Sequence, residues 1–167
     1  MKVTSNILRT VLLIGSLVLF SCEKPDITDD PSFAEQLLTS SVDTIIIDSH
    51  RYFLETELSR NLMPGGPIPT KRKLRAYVSL VNSDSLSISE NISISKLYVL
   101  NGTLIWTSVP RESSSSYIPE YKLFRVSTDG PEWQTDIYVN VVAEVINNQT
   151  KQKVLISKLD QKIEAAY

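Results

Sequence analysis

Two residues decide most of the reactive chemistry open to this chain, since Cys22 is its only thiol and His50 its only imidazole. A single cysteine rules out an internal disulfide, and one histidine with one cysteine rules out zinc sites built on several such ligands. His50 could serve a Ser-His-Asp arrangement with many serines and acids, but no Gly-x-Ser-x-Gly elbow supplies the strained turn such a serine needs. It reads instead as a turn residue between two strands. Glu55 and Glu57 share one face of an alternating segment and could pair as general acid and base. A solvent-facing strand gives the same pattern, so they read as surface charge. No phosphate-cradling glycine loop and no calcium loop of alternating acids is present. The chain therefore reads as non-enzymatic, with no catalytic set, no metal and no cofactor.

Cys22 has a different context. Lys2 and Arg9 precede the apolar run Val11–Phe20, and Ser21 stands directly before the thiol. Ten residues are too few to cross a hydrocarbon core, which needs about 20. Basic residues followed by a short apolar core have the form of a secretory signal. Leu19-Phe20-Ser21-Cys22 resembles the bacterial lipobox, with Phe20 bulkier than the usual residue at that place. The resemblance implies a diacylglycerol on the Cys22 thiol, cleavage before Cys22 and acylation of the new amino terminus. Two or three acyl chains hold a protein to a bilayer far more firmly than one. The expected organisation is a signal peptide over 1–21, a lipidated cysteine and flexible tether over 22–41, and a folded domain over 42–167. The tether reading rests on Pro25, Pro31 and the polar residues around them. A short helical turn through Phe33–Leu38 could interrupt it, because Phe33, Leu37 and Leu38 share a helical face.

The 146 residues from 22 onward hold 15 of the 17 basic side chains and all 19 acidic ones. A mildly acidic, exported domain of this size is no partner for nucleic acid, which needs a concentrated basic surface. Glu23, Asp26, Asp29 and Asp30 partly resemble the acidic stretch that, in lipoproteins of the Bacteroidota, accompanies display on the outer face of the outer membrane. Lys24 and Pro25 interrupt it, so an outer-membrane anchor is expected with either the periplasmic or the cell-surface side open. Asp43-Thr44-Ile45 and Asp84-Ser85-Leu86 resemble the O-glycosylation triplet of exported proteins in that group, which makes Thr44 and Ser85 candidate acceptors.

From Val42 the hydrophobic period becomes two. Ile45-Ile46-Ile47 is a β-branched run; Tyr52, Leu54 and Leu58 oppose Arg51, Glu55 and Glu57; Leu74, Ala76, Val78 and Leu80 oppose Arg75, Tyr77 and Ser79. Further strands are expected over Ile92–Leu100, Thr103–Thr107, Tyr121–Ser127, Asp136–Ile146 and Lys153–Leu159. Pro64-Gly65-Gly66-Pro67, Asn101-Gly102, Asp129-Gly130-Pro131 and Asn147-Asn148 mark turns between them. About eight short strands without a long amphipathic helix predict an all-β fold, a single antiparallel β-sandwich of immunoglobulin-like type held by packing alone. Asn101-Gly102 predicts a two-residue hairpin pairing Leu97–Leu100 with Thr103–Trp106. Trp106 and Trp133 are expected in the core.

Tyr52-Phe53-Leu54-Glu55, Asn61-Leu62-Met63-Pro64, Leu97-Tyr98-Val99-Leu100-Asn101-Gly102 and Asp129-Gly130-Pro131-Glu132-Trp133 resemble a group of small secreted bacterial β-sandwich proteins. The group has no assigned activity, so the likeness implies a fold and no site residues. Lys71, Arg72, Lys73 and Arg75 form a cationic cluster in an acidic domain, a candidate contact for anionic glycan, lipid phosphate or an acidic partner. Solvated charge that discourages edge-to-edge pairing accounts for it equally. The serine-rich stretch Ser83–Asn91, followed later by Ser113–Ser116, reads as an edge strand or a mobile loop with one apolar face, and such loops offer further contact surface. The expected function is a membrane-anchored binding module for a glycan or an envelope protein. The alternatives are a structural accessory subunit of an outer-membrane assembly, docked by strand addition, and a hydrolase whose site one sequence does not reveal.

Overall fold

The computed structural model describes residues 25–63, 72–113 and 117–167. Nine strands and one helix follow in the order β1 (Asp26–Asp29), α1 (Pro31–Ser40), β2 (Thr44–Ile47), β3 (His50–Asn61), β4 (Leu74–Asn82), β5 (Ile92–Asn101), β6 (Leu104–Ser108), β7 (Lys122–Ser127), β8 (Tyr138–Asn147) and β9 (Lys153–Ala166). The eight expected strands are β2 to β9, so the all-β reading holds.

The arrangement differs from the expected sandwich. All nine strands belong to one curled sheet ordered β1-β6-β5-β8-β9-β3-β4-β7, with β2 added beside β3. The sheet is mixed, because Ile163–Ala166 of β9 runs parallel to Leu58–Asn61 of β3. The cause lies in β9. Its first residues, Lys153–Lys158, pair antiparallel with β8, and the register then shifts opposite Val139–Val141. Asp160 stands at this bulge with φ 53°, and its N–H donates to Asn140 Oδ1 at 3.0 Å. A bulge bends its strand and strengthens the twist; past it Gln161 and Lys162 pair again with Val139 and Tyr138, while Ile163–Ala166 meet β3 along the other edge of β9. Two separate antiparallel sheets of immunoglobulin type are therefore not formed.

Curling brings Leu54, Leu58, Val78 and Leu80 of β3 and β4 into one core with Leu97, Val99, Val141, Ala143 and Ile156. Trp106 joins this core at 2% exposure, while Trp133 packs half-buried at its margin. Gly130 explains the Asp-Gly-Pro turn beside it. A β carbon there would lie 2.8 Å from the Leu74 carbonyl oxygen and from Cη2 and Cζ3 of Trp106. Close approach of a rigid ring, with no demand on φ, fixes glycine at that position.

The second departure concerns residues 26–41, expected as tether. β1 pairs with β6, and α1 lies on the outer face of β5, β6 and β8. The Asp30 carboxylate caps the helix by accepting the Phe33 N–H at 2.9 Å, and Pro31 occupies the first turn, where no N–H is needed. Ala34 and Leu37 are buried against Tyr98, Leu100, Ile105 and Val142, and Phe33 meets Tyr98 edge to face at 5.8 Å. Those strand residues are apolar on both faces, so an uncovered outer face would leave them in water.

Under α1, Glu144 is a half-buried carboxylate. Burial pushes its pKa up, but hydrogen bonds from Ser95 Oγ at 2.6 Å and Lys153 Nζ at 3.1 Å, with Lys96 nearby, together hold it below the ordinary 4.5. A carboxyl lowered by folding contributes stability above its unfolded pKa, and that contribution disappears as pH falls through the folded value. Glu144→Gln is therefore expected to be less stable than wild type at pH 7, with the gap closing in acid. Urea midpoints from pH 7 to pH 3 measure this, and a constant gap would exclude it.

The hairpin between β5 and β6 forms one residue later than expected. Asn101 pairs with Leu104 and Val99 with Trp106, leaving Gly102 and Thr103 as the turn. Gly102 alone takes positive φ, 61°, at the first central position. Asp48 and Ser49, both at positive φ, make the corresponding turn between β2 and β3.

Candidate functional site

Among the described residues, α1 packs on β5, β6 and β8, and the outer face of β3, β4 and β7 lies on the other half of the sheet. Strand alternation places Glu55 and Glu57 of β3, Tyr77 and Ser79 of β4, and Phe124 of β7 together on it. Registers Glu57↔Tyr77, Glu55↔Ser79 and Ser79↔Phe124 bring them into adjacent rows. Tyr77 and Phe124 lie nearly parallel, with ring centroids 6.2 Å apart and planes 10° from each other. Both are half-buried, which leaves ring area open to solvent.

Polar groups rim this pair. Lys122 Nζ lies 2.5 Å from Glu55 Oε2 and 5.9 Å from the centre of the Tyr121 ring. From β9 come Lys158 and Gln161, the latter held by two bonds. Its Oε1 accepts from Thr56 Oγ1 at 2.7 Å, and its Nε2 donates to the Leu159 carbonyl at 2.7 Å. Lys158 and Gln161 join Glu55, Glu57, Tyr77 and Phe124 in bounding an open depression of about 380 Å³. Aromatic area flanked by a carboxylate pair, an ammonium and hydroxyls can hold a flat ligand rich in hydroxyl groups. Glu55 is committed to Lys122, so Glu55 and Glu57 are not two free carboxylates poised for acid-base work.

A second depression, about 430 Å³, lies where the ends of the curled sheet meet. There Ser108 Oγ lies 2.9 Å from Ser127 Oγ, and Arg111 exchanges two backbone hydrogen bonds with Val126, each 2.8 Å. Pro25 and Asp26 form part of its wall, with Thr107, Thr128 and Asp129.

No family model, curated protein or solved structure matches the chain. The site is thus read from its own geometry.

The residues singled out by sequence fall in several places. Cys22 and Lys71 lie outside the described residues. Arg72 is exposed, Lys73 Nζ lies 3.4 Å from Asp129 Oδ1, and Arg75 is half-buried on β4 beside Ser59. The Arg72 carbonyl serves the fold by accepting from Arg60 Nε at 2.6 Å. Thr44 is half-buried within β2, whereas Ser85 is exposed after β4 with φ 56°. Of the two, Ser85 is the more accessible to a modifying enzyme. His50 begins β3 directly after the turn, with Nδ1 3.7 Å from Asp84 Oδ2. Burial, then the carboxylates of Asp48 and Asp84, raise the neighbouring Tyr52 phenol above 10.0.

Alternation placed Glu55, Glu57 and Tyr77 correctly on an outward face. It missed Phe124, because β7 is half-buried along nearly its whole length. It also missed Gln161, because the strand was expected to end at Leu159. Among the described residues, no group of three or more His, Cys, Asp or Glu could hold a metal, and no helix is long and apolar enough to cross a membrane.

Proposed function

We propose that this chain is an exported lipoprotein, anchored in the outer membrane through acyl chains on Cys22, whose domain binds a glycan of the cell envelope without transforming it. The observation that carries the binding reading is the parallel pair Tyr77 and Phe124, both half-buried on an outward sheet face. The C–H face of a sugar ring carries a weak positive charge and meets the negative face of an aromatic ring, while hydroxyls engage carboxylates and amides. Glu57, Ser79, Lys158 and Gln161 supply such groups around the rings. The ion pair on Glu55 favours binding over hydrolysis.

Retention on immobilised envelope polysaccharide and peptidoglycan fragments tests this. Tyr77→Ala and Phe124→Ala are each expected to weaken retention about tenfold, which is ~1.4 kcal/mol, with the circular dichroism spectrum unchanged. Equal retention of wild type and both variants would refute the site. Docking by strand addition gains less support from the sheet edges. β1 has four residues, two of them aspartates, and Arg111 already occupies the open edge of β7 at Val126.

A further inference from the structure

We infer that the face around the seam between β6 and β7 rests on the lipid surface that holds the anchor. This rests on the reading of Cys22 as the lipidated residue. β1 begins at Asp26 and is paired with β6, so only Glu23, Lys24 and Pro25 separate Cys22 from the folded body. Four residue steps span at most ~14 Å. A flexible tether of about 20 residues would instead have a root-mean-square reach of ~25 Å and allow any orientation. A headgroup layer is only ~5–7 Å deep on each side of the hydrocarbon core. The short leash therefore brings the surroundings of Asp26 down onto it.

Those surroundings suit a lipid surface. Pro25 and Asp26 line the seam depression beside Ser108, Val109 and Arg111. Val109 is 68% exposed, an apolar side chain with little protein cover. Arg111, two residues on, is exposed and can meet headgroup phosphates. Asp129, the other acid of this wall, is met by Lys73 at 3.4 Å, which reduces its repulsion of an anionic surface. The opposite end of the body stands well clear. Gly130 donates to the Leu74 carbonyl at one end of β4, and the Ser83–Leu86 turn follows Asn82 at the other. Eight strand steps place them ~26 Å apart.

The test uses the full lipidated chain in vesicles of phosphatidylethanolamine and phosphatidylglycerol, carrying a fluorophore at V109C or at L86C, with quencher-labelled lipid. Quenching at position 109 is expected to exceed that at 86 several-fold. Inserting about 15 Gly/Ser residues between Lys24 and Pro25 should abolish the difference by lengthening the leash. Equal quenching at both positions, with intact mass showing acylated Cys22, overturns the orientation and leaves the lipoprotein reading standing. Intact mass without acyl chains overturns the reading on which the orientation rests.

Discussion

Ile163→Ala is expected to destabilise the domain by about 3–4 kcal/mol, near the upper part of the range for emptying a fully buried aliphatic site. Ile163 is 0% exposed and packs in the main core. It sits just past the bulge, where β9 lies between the chain leading into β8 on one edge and Leu58, its first parallel partner, on the other. Its N–H donates to the Ile137 carbonyl at 3.0 Å, and its carbonyl accepts from the Asp136 N–H at 2.8 Å. The side chain thus packs at the junction where the two halves of the sheet are sewn together, and a cavity there loosens both. Leu159→Ala is the control, because Leu159 is 52% exposed on the same strand and should change stability by less than about 0.5 kcal/mol. Urea denaturation of the two variants gives the comparison. Similar midpoints would show that β9 does not close the core in the way described.

Replacing Arg60 by methionine is the second large effect, expected at about 2–4 kcal/mol. Arg60 is 9% exposed, an unusual depth for a guanidinium. Its Nε donates to the Arg72 carbonyl at 2.6 Å, and its Nη1 donates to the Trp133 carbonyl. One side chain therefore ties the approach to β4 and the loop before β8 to the end of β3. Methionine preserves much of the apolar stem and removes every donor, leaving two carbonyls without their partner. The nearby ion pair to Glu132 is a separate matter. It spans 3.9 Å, and the Glu132 side chain is 61% exposed. Glu132→Gln is then expected to cost no more than about 0.5 kcal/mol. Thermal melts of both variants separate the two contributions, and an equal loss would mean that charge, not the carbonyl bonds, holds the clamp.

Strand identity was readable because it rests on a local period. Tyr52, Leu54 and Leu58 alternate with charged residues, and β3 buries those three. Strand partnership was not readable in the same way. The parallel junction of β9 with β3 depends on the bulge at Asp160, and neither Leu159 nor Asp160 announces that a strand resumes after them. The docking of α1 had a signal that propensity alone does not weigh. Leu97-Tyr98-Val99-Leu100 and Val141-Val142-Ala143 are apolar on both faces, which asks for cover on both sides of the sheet, and Phe33, Leu37 and Leu38 were the helical face able to give it. The acidic and proline residues before them suggested a tether because Asp30 and Pro31 favour a loop as readily as a helix start. Their capping role appears only once the helix has a surface to lie on. The candidate site was half readable for the same reason: Glu55, Glu57 and Tyr77 follow from alternation within single strands, while their meeting with Phe124 and Gln161 requires the order of strands in space.

The parallel pairing of β3 with β9 also bears on how the protein is made. Leu58 and Ile163 are partners across more than 100 residues of chain, and closing so long a loop costs entropy before any contact repays it. Residues 161–166 are synthesised after every other strand. Until they arrive, the half of the sheet built on β3 and β4 has no strand to join it to the half built on β5 and β8. Folding is thus expected to be slow and to complete only after the closing strand has been delivered. On the proposed reading of Cys22 as the anchor of an exported chain, that delay is useful: the topology itself keeps the polypeptide pliant during passage and locks it on the far side.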